Sequence, residues 1–223
     1  MKTQLIALFI LFALSATSCI IIEEEMPQHN AEIRITEAFS YGSLILSTGT
    51  ASLDLRGIPS DMVDLLITYK EHEPSDAVLS LTRRGIETET KSGKNVLITS
   101  ISGTVPENLD IFVNTGTGAV NLKSIYHSAT IEVKSGTGAV DMSDIQSVKR
   151  VKVNSGTGRF RLEEADIDEL LVTTGTGSVT LIGSKIDYAS IDTGTGSIRL
   201  EKTAIAEQEL HTQTGRIIRD KAF

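Results

Sequence analysis

The 223-residue chain has no tryptophan, one cysteine, and four prolines, the last of them Pro106. Each shortage excludes something. A single Cys rules out a disulfide framework within the chain and a zinc knuckle. Aromatic residues make up only 4%, which removes the stacking platforms that many glycan binders use. Positive charge is also short: the formal net charge is −8, which argues against a general affinity for nucleic acid. The chemistry-bearing motifs HExxH and GxSxG are absent, and no thiol other than Cys19 is present to act as a nucleophile. His29, His72, His127 and His211 are scattered, with no i, i+2 or i, i+4 metal spacing. Neither a metal, a cofactor nor a catalytic residue is therefore expected.

What is present begins with an address. Met1 and Lys2 precede an apolar run, Leu5 to Leu14, and then the small residues Ser15 to Ser18. The run is too short to span a bilayer, which needs about 20 residues, and it reads as an export signal over residues 1–18. The segment Ala16-Thr17-Ser18-Cys19 resembles the lipobox of bacterial lipoproteins, with Ala16 where Leu is usual. That resemblance implies lipidation at Cys19 and a membrane anchor; the alternative is an ordinary signal peptide with an incidental Cys. Residues 19–30, with Glu23 to Glu25, read as an acidic tether. An acidic run after such a Cys is also similar to the surface-export signals of some Bacteroidetes-type lipoproteins. The expected location is the cell envelope, at the outer membrane, on its periplasmic face or at the surface.

The second half is a repeat. One motif occurs six times: NTGTGAV at Asn114, KSGTGAV at Lys134, NSGTGRF at Asn154, TTGTGSV at Thr173, DTGTGSI at Asp192 and HTQTGRI at His211, at spacings of 20, 20, 19, 19 and 19 residues. Its second Gly (Gly118, Gly138, Gly158, Gly177, Gly196, Gly215) and the Thr before it (Thr117, Thr137, Thr157, Thr176, Thr195, Thr214) never vary between copies. Between motifs the apolar residues alternate, as in Val120 and Leu122, Ile131 and Val133, Phe160 and Leu162, which is the period of strands with one buried face. The inward positions are odd before the first Gly and even after it, so the chain changes phase inside Thr-Gly. That change predicts a corner, with the second Gly held at positive φ.

Two strands and their corners in 19 or 20 residues make one coil of an all-β fold, a single-stranded β-solenoid or parallel β-helix, with coils about 4.8 Å apart. One coil would bury about five aliphatic side chains at roughly 1.5 to 3 kcal/mol each, against about 1.5 kcal/mol per ordered residue. Coils must therefore stack to fold. The Ser/Thr column before the first Gly (Thr115, Ser135, Ser155, Thr174, Thr193, Thr212) and the Thr column after it share the buried parity, which predicts hydroxyl ladders inside the corner. The functional alternative is a polar stripe for glycans or ions. The motif lacks GxxxxGK[ST], so a phosphate loop is not expected.

Residues 31–104 are less regular, with turns suggested at Gly49, Gly57 with Pro59, Pro74, Gly85 and Gly93. Thr48-Gly49-Thr50-Ala51 looks like an imperfect early copy of the corner. This region is expected to form opening coils or an N-terminal cap, the alternative being a separate small β-domain; residues 105–223 hold the regular repeats.

From Val105-Pro106 through Phe112-Val113-Asn114-Thr115-Gly116 to Val120, the chain resembles the bacterial putative-adhesin family of β-solenoid repeat domains. The resemblance covers about Ala31 to Phe223. It implies the solenoid fold and carries over no catalytic residue.

Aligned coils place Asn121, Asp141, Arg161, Thr180 and Arg199 in one outward column, and Asn114, Lys134, Asn154, Thr173, Asp192 and His211 in another. Mixed signs fit an ordinary solvated face rather than a polysaccharide-cleaving site. The densest acidic stretch, Glu163 and Glu164 with Asp166 and Asp168, is a candidate cation or substrate site, or a loop. The expected function is noncatalytic: an adhesin-like solenoid, membrane-attached through its lipid, monomeric, presenting a side wall to a protein or glycan partner. The alternatives are a self-associating envelope scaffold and, third, an enzyme acting on polysaccharide. Arg216, Arg219 and Lys221 are expected to protect the C-terminal edge, with Phe223 folding over the last apolar layer.

Overall fold

The structure, a computed structural model, describes residues 26–220. The export signal, Cys19, residues 19–25 of the tether, Lys221 and Phe223 lie outside the described residues. No helix among the described residues is long and apolar enough to cross a membrane. Seventeen strands form a 15-stranded sheet and a two-stranded hairpin.

The regular coils start with β8 (Asp110–Thr115) and β9 (Val120–Tyr126), followed by β10 (Thr130–Ser135) and the long β11 (Val140–Ser155) and β12 (Phe160–Thr174). The stack continues through β13 (Val179–Ile182), β14 (Lys185–Thr193), β15 (Ile198–Glu201), β16 (Ala204–Thr212) and β17 (Ile217–Arg219). All pairing in this region is parallel, and apart from one slip between β11 and β12 it is in register, for example Val120 with Val140, Val140 with Phe160, Phe160 with Val179 and Val179 with Ile198. Identical coil positions therefore lie above one another. The chain is the all-β parallel β-solenoid that its periodicity implies.

Upstream, β1 (His29–Ala38), β4 (Met62–Glu71) and β7 (Leu97–Pro106) form an antiparallel cover. Between them in sequence, β2 (Ser43–Thr48) lies parallel beneath β8, and β3 (Ser52–Ile58) lies parallel between β7 and β9. The hairpin is β5 (Ala77–Thr82) with β6 (Gly85–Thr90). Apart from the β5–β6 hairpin, which is a sheet of its own, the strands of residues 31–104 thus share one sheet with the repeats, and one apolar core runs from Phe39 to Leu200. Beyond β7 the parallel stack gives way to β4 and then β1, each antiparallel to its neighbour, at the end of the sheet. Gly57, expected at a turn, sits inside β3: a Cβ there would meet the Ser124 carbonyl oxygen at 2.1 Å, so the glycine serves close approach.

The phase change occurs where Gly116 and Thr117 are both exposed, with Thr115 buried before it and Gly118 and Val120 buried after it. The expected reason for the second Gly was wrong. None of these glycines has a positive φ. Instead, a Cβ on Gly138, Gly158, Gly177 or Gly196 would lie 1.8–1.9 Å from the carbonyl oxygen of the same glycine one coil below. The corners of successive coils are stacked too closely for any side chain. The first copy supports this reading: Ala51 occupies the corresponding position where no regular coil lies beneath, and it is Ala51 O that Gly118 approaches.

Positive φ appears in a different column: Ser124 (56°), Asp144 (57°), Glu164 (52°), Gly183 (57°) and Lys202 (49°). This is the second corner of each coil, and Gly fills it once. His127 (57°) and Ser147 (56°) add a further left-handed residue in the two 20-residue coils. The pairing of β11 with β12 slips between Ile145 and Val148, where Gln146 and Ser147 oppose Asp166 alone. The change from 20 to 19 residues is thus one bulge residue at this bend.

Candidate binding surface

The wall formed by β3, β9, β11, β12, β13 and β15 turns alternate side chains outward. Its central column runs Asp54, Asn121, Asp141, Arg161, Thr180, Arg199, each paired with the next across the ladder. The neighbouring column runs Arg56, Lys123, Ser143, Glu163, Ile182, Glu201. Ion pairs cross-link them, Arg161 to Glu163 and Arg199 to Glu201 at 3.4 Å, and Arg159 beside the central column pairs with Asp141 at 3.1 Å. All are solvent-accessible, so each contributes only about 0–1 kcal/mol to stability. Between the columns lies a groove of about 450 Å³ lined by Asp54, Lys123, Asp141, Arg159 and Arg161. Asp141 accepts from Arg159 through Oδ2, while its Oδ1 is buried without a hydrogen-bond partner. An acceptor withdrawn from water and unpaired costs free energy until a donor reaches it.

The opposite wall, built from β2, β8, β10, the second halves of β11 and β12, β14 and β16, is similarly mixed. Its second outward column is Ser47, Asn114, Lys134, Asn154, Thr173, Asp192, His211. Lys134 at 3.0 Å and Lys152 at 3.8 Å flank Glu132. The Lys134 ammonium, with a smaller contribution from Lys152, holds the Glu132 carboxyl below its ordinary pKa.

The two hydroxyl columns part company. Thr115, Ser135, Ser155, Thr174 and Thr193 are buried, but the Thr column after the first Gly (Thr117, Thr137, Thr157, Thr176, Thr195, Thr214) is exposed, contrary to the expected parity. The two-residue bend leaves both Gly116 and Thr117 outside, so alternation is suspended there. Bonds within the buried column run to backbone rather than between hydroxyls. Ser155 Oγ accepts from Gly158 N–H at 3.1 Å, Thr174 Oγ1 accepts from Gly177 N–H at 3.0 Å, and Thr193 Oγ1 donates to Gly196 O at 2.6 Å. Each buried hydroxyl pins the second glycine of its own corner.

The acidic candidate is dispersed and is not a loop. Glu163, Glu164, Asp166 and Asp168 all lie on β12. Glu163 pairs with Arg161, Asp166 with Lys185 at 3.6 Å, and Glu164 turns away at its left-handed φ. Among the described residues no three His, Cys, Asp or Glu side chains come together as a metal site.

A family model described as Toastrack DUF4097 matches residues 79–219, more than half of the chain. The chain belongs to the Toastrack DUF4097 family. A solved structure similar to this Toastrack chain is a putative lipid binding protein of Parabacteroides distasonis ATCC 8503, 14% identical, with a TM-score of 0.51 over 86% of this chain and 97% of that one. Another is a putative adhesin of Bacteroides fragilis NCTC 9343, 12% identical, with a TM-score of 0.49 over 85% of this chain and 97% of that one. A putative adhesin of Parabacteroides distasonis ATCC 8503 is also 12% identical, with a TM-score of 0.47 over 86% of this chain and 97% of that one. At these identities the likeness is one of fold. No curated protein matches.

Two polar constellations of the Toastrack chain escaped the sequence. Ser124 Oγ donates to Asp144 Oδ2 at 2.9 Å, and Tyr126 donates its hydroxyl to the same oxygen. The Tyr126 hydroxyl, more than Ser124, keeps the Asp144 carboxyl below its usual range, and Asp144 raises the Tyr126 hydroxyl in return. The equal spacing of Ser124 and Asp144 could have hinted at this contact. The other lies on the turns beside the first coils, around Tyr41, Asp61 and Asn108, segments that occur once and leave no periodic trace.

Proposed function

We propose that this Toastrack chain is a noncatalytic lipoprotein of the bacterial cell envelope, attached to the outer membrane through Cys19, whose solenoid presents a side wall to a protein or glycan partner. The observation that carries the reading is the groove centred on Asp141. In-register pairing fixes its charged side chains on a stiff ladder, with Asp141, Arg159 and Arg161 lining the groove. The central column passes from Asp54 and Asp141 to Arg161 and Arg199 while its neighbour passes from Arg56 and Lys123 to Glu163 and Glu201, a pattern of both signs that a partner must complement, which is how charged surfaces select partners. This wall shows no exposed aromatic ring, which favours a protein over a sugar at the groove. The adhesin and lipid-binding labels of the structural neighbours belong to those proteins; a surface that binds is the element common to them and to this reading.

The test is crosslinking capture from the host envelope with the full chain as bait, comparing wild type with an Asp141→Asn, Arg161→Ser double variant. Loss of a saturable partner in the double variant supports the wall, and equal capture by both refutes it.

One observation favours the scaffold as a second reading. Among the described residues β16 pairs only with β14, and β17 only with β15, so within them both outer edges are open, and Ile217 is 41% exposed. Arg216 and Arg219 flank that Ile in exposed positions, where charge discourages edge pairing. Sedimentation over a concentration series separates the two: a steady monomer supports the binder, and growing end-to-end oligomers support the scaffold.

A further inference from the structure

Four single-copy turns converge beside the first coils and build a hollow that the regular repeats lack. Residues 39–42 join β1 to β2, residues 59–61 join β3 to β4, residues 107–109 join β7 to β8, and residues 127–129 join β9 to β10. Backbone bonds hold them together. Phe39 N–H donates to Asp61 O at 2.8 Å, Glu107 N–H to Ile58 O at 3.0 Å, Tyr126 N–H to Glu107 O at 2.7 Å, and Asp110 N–H to Gly42 O at 3.2 Å. Between the turns lie two adjoining hollows of about 380 and about 330 Å³, both bordered by Asp61 and Asn108. Each falls within the size range of small-ligand sites, roughly 300–1,000 Å³.

The lining has the two characters that a sugar ring requires. The first hollow is apolar on one side, with Phe39, Pro106 and Leu109, and carries Tyr41 at its rim. Tyr41 is 44% exposed, and no other aromatic residue among the described residues is classed as exposed. Its ring packs against buried Phe39 in a T-shaped pair, with centroids 5.3 Å apart and planes at 81°, a contact that restricts its rotation. An exposed ring braced in this way offers apolar contact to the C–H face of a pyranose, and the restriction lowers the entropic cost of binding. In the same lining, the side chains of Asp61 and Asn108 make no hydrogen bond among the described residues. Asp61 only accepts, whereas Asn108 both donates and accepts, a combination matched to adjacent sugar hydroxyls, each of which does both. The second hollow adds Glu107 and His127. Two carboxylates so close to the path disfavour uronic or sulfated sugars by like-charge repulsion.

We propose that this cleft binds a neutral oligosaccharide, with one pyranose ring against Tyr41, its hydroxyls on Asp61 and Asn108, and the next ring in the hollow beside Glu107 and His127. The cleft sits on the turns and not on the wall groove, so neither site depends on the other.

The experiment titrates the full chain, purified in a detergent without a sugar headgroup, with cellobiose, maltose, N,N′-diacetylchitobiose and digalacturonate, read by saturation-transfer NMR and calorimetry. At least one neutral disaccharide should bind with a dissociation constant on the order of 1 mM or tighter. Tyr41→Ala and Asp61→Ala should each weaken it by about tenfold or more, and Tyr41→Phe should keep it. Asp61 and Asn108 are exposed, so Asp61→Ala and Asn108→Ala should retain the wild-type melting temperature and report binding alone, even if Tyr41→Ala loosens its turn. The proposal is overturned if no neutral disaccharide binds at about 10 mM, if digalacturonate binds best, or if Asp61→Ala and Asn108→Ala both leave the affinity unchanged.

Discussion

Replacing Gly158 by Ala adds a single methyl group at a corner stacked too closely on the coil below to hold one. The new Cβ would stand 1.9 Å from the Gly138 carbonyl oxygen, 2.7 Å from its carbon and 2.9 Å from Ser155 Oγ. Real Cβ contacts are essentially never under 3.0 Å, so the coils must separate locally by more than an ångström. That movement pulls on Gly156 N–H to Ser135 O at 3.1 Å and Thr157 N–H to Gly136 O at 3.0 Å. Two inter-coil hydrogen bonds at a net 0.5–1.5 kcal/mol each, added to an overpacking cost of 1–3 kcal/mol, give a destabilisation of about 2–6 kcal/mol. The stability of a whole domain is only about 5–15 kcal/mol. Gly49 supplies the comparison, because a Cβ there meets nothing within 4 Å and its φ is not in the left-handed region. Gly49→Ala should be neutral or stabilising by up to about 1 kcal/mol, through the smaller entropy of the unfolded chain. Guanidinium unfolding followed by circular dichroism measures both variants. If Gly158→Ala shifts the midpoint no more than Gly49→Ala does, crowding between coils is not why the second glycine is invariant.

Other consequences are open to direct measurement. Cys19→Ser should abolish incorporation of radiolabelled palmitate in a bacterial host and release the protein from membranes; labelling that persists removes the lipid anchor from the proposed function. Glu164 holds a left-handed φ of 52° with its side chain exposed, so Glu164→Gly should stabilise by up to about 1 kcal/mol once the entropy of Gly is subtracted; a lower melting temperature would contradict the strain assigned to the second corner. Arg34 donates to Asp64 at 2.7 and 2.5 Å and, as the largest influence, lowers the Asp64 carboxyl to about 2 from an ordinary value of 3.8. Because the folded value is the depressed one, the clamp between β1 and β4 is fully in force above pH 3.8 and is lost as the pH falls through about 2. The melting-temperature difference between wild type and Arg34→Met should therefore shrink across that interval, and a constant difference would show that the ion pair is not its source.

The repeat made much of this molecule legible in advance. Six copies of one corner, with Val120, Val140, Phe160, Val179 and Ile198 at the same offset, specify coil length, strand phase and inward side chains, because the same local geometry recurs and marks the sequence each time. The 20-to-19 change in spacing was equally visible, but only the ladder shows that the extra residue is a bulge at Gln146 and Ser147. The invariant glycine could be read as a conformational requirement or as a spatial one, and the sequence does not distinguish them; the carbonyl of the coil below does. The left-handed corner stayed hidden because Ser124, Asp144, Glu164, Gly183 and Lys202 share a backbone shape without sharing a residue type. The antiparallel cover and the cleft around Tyr41 and Asp61 come from segments used once, brought together by strands distant in the chain. A contact made once between remote segments leaves no period to read, so these features exist only in the folded arrangement.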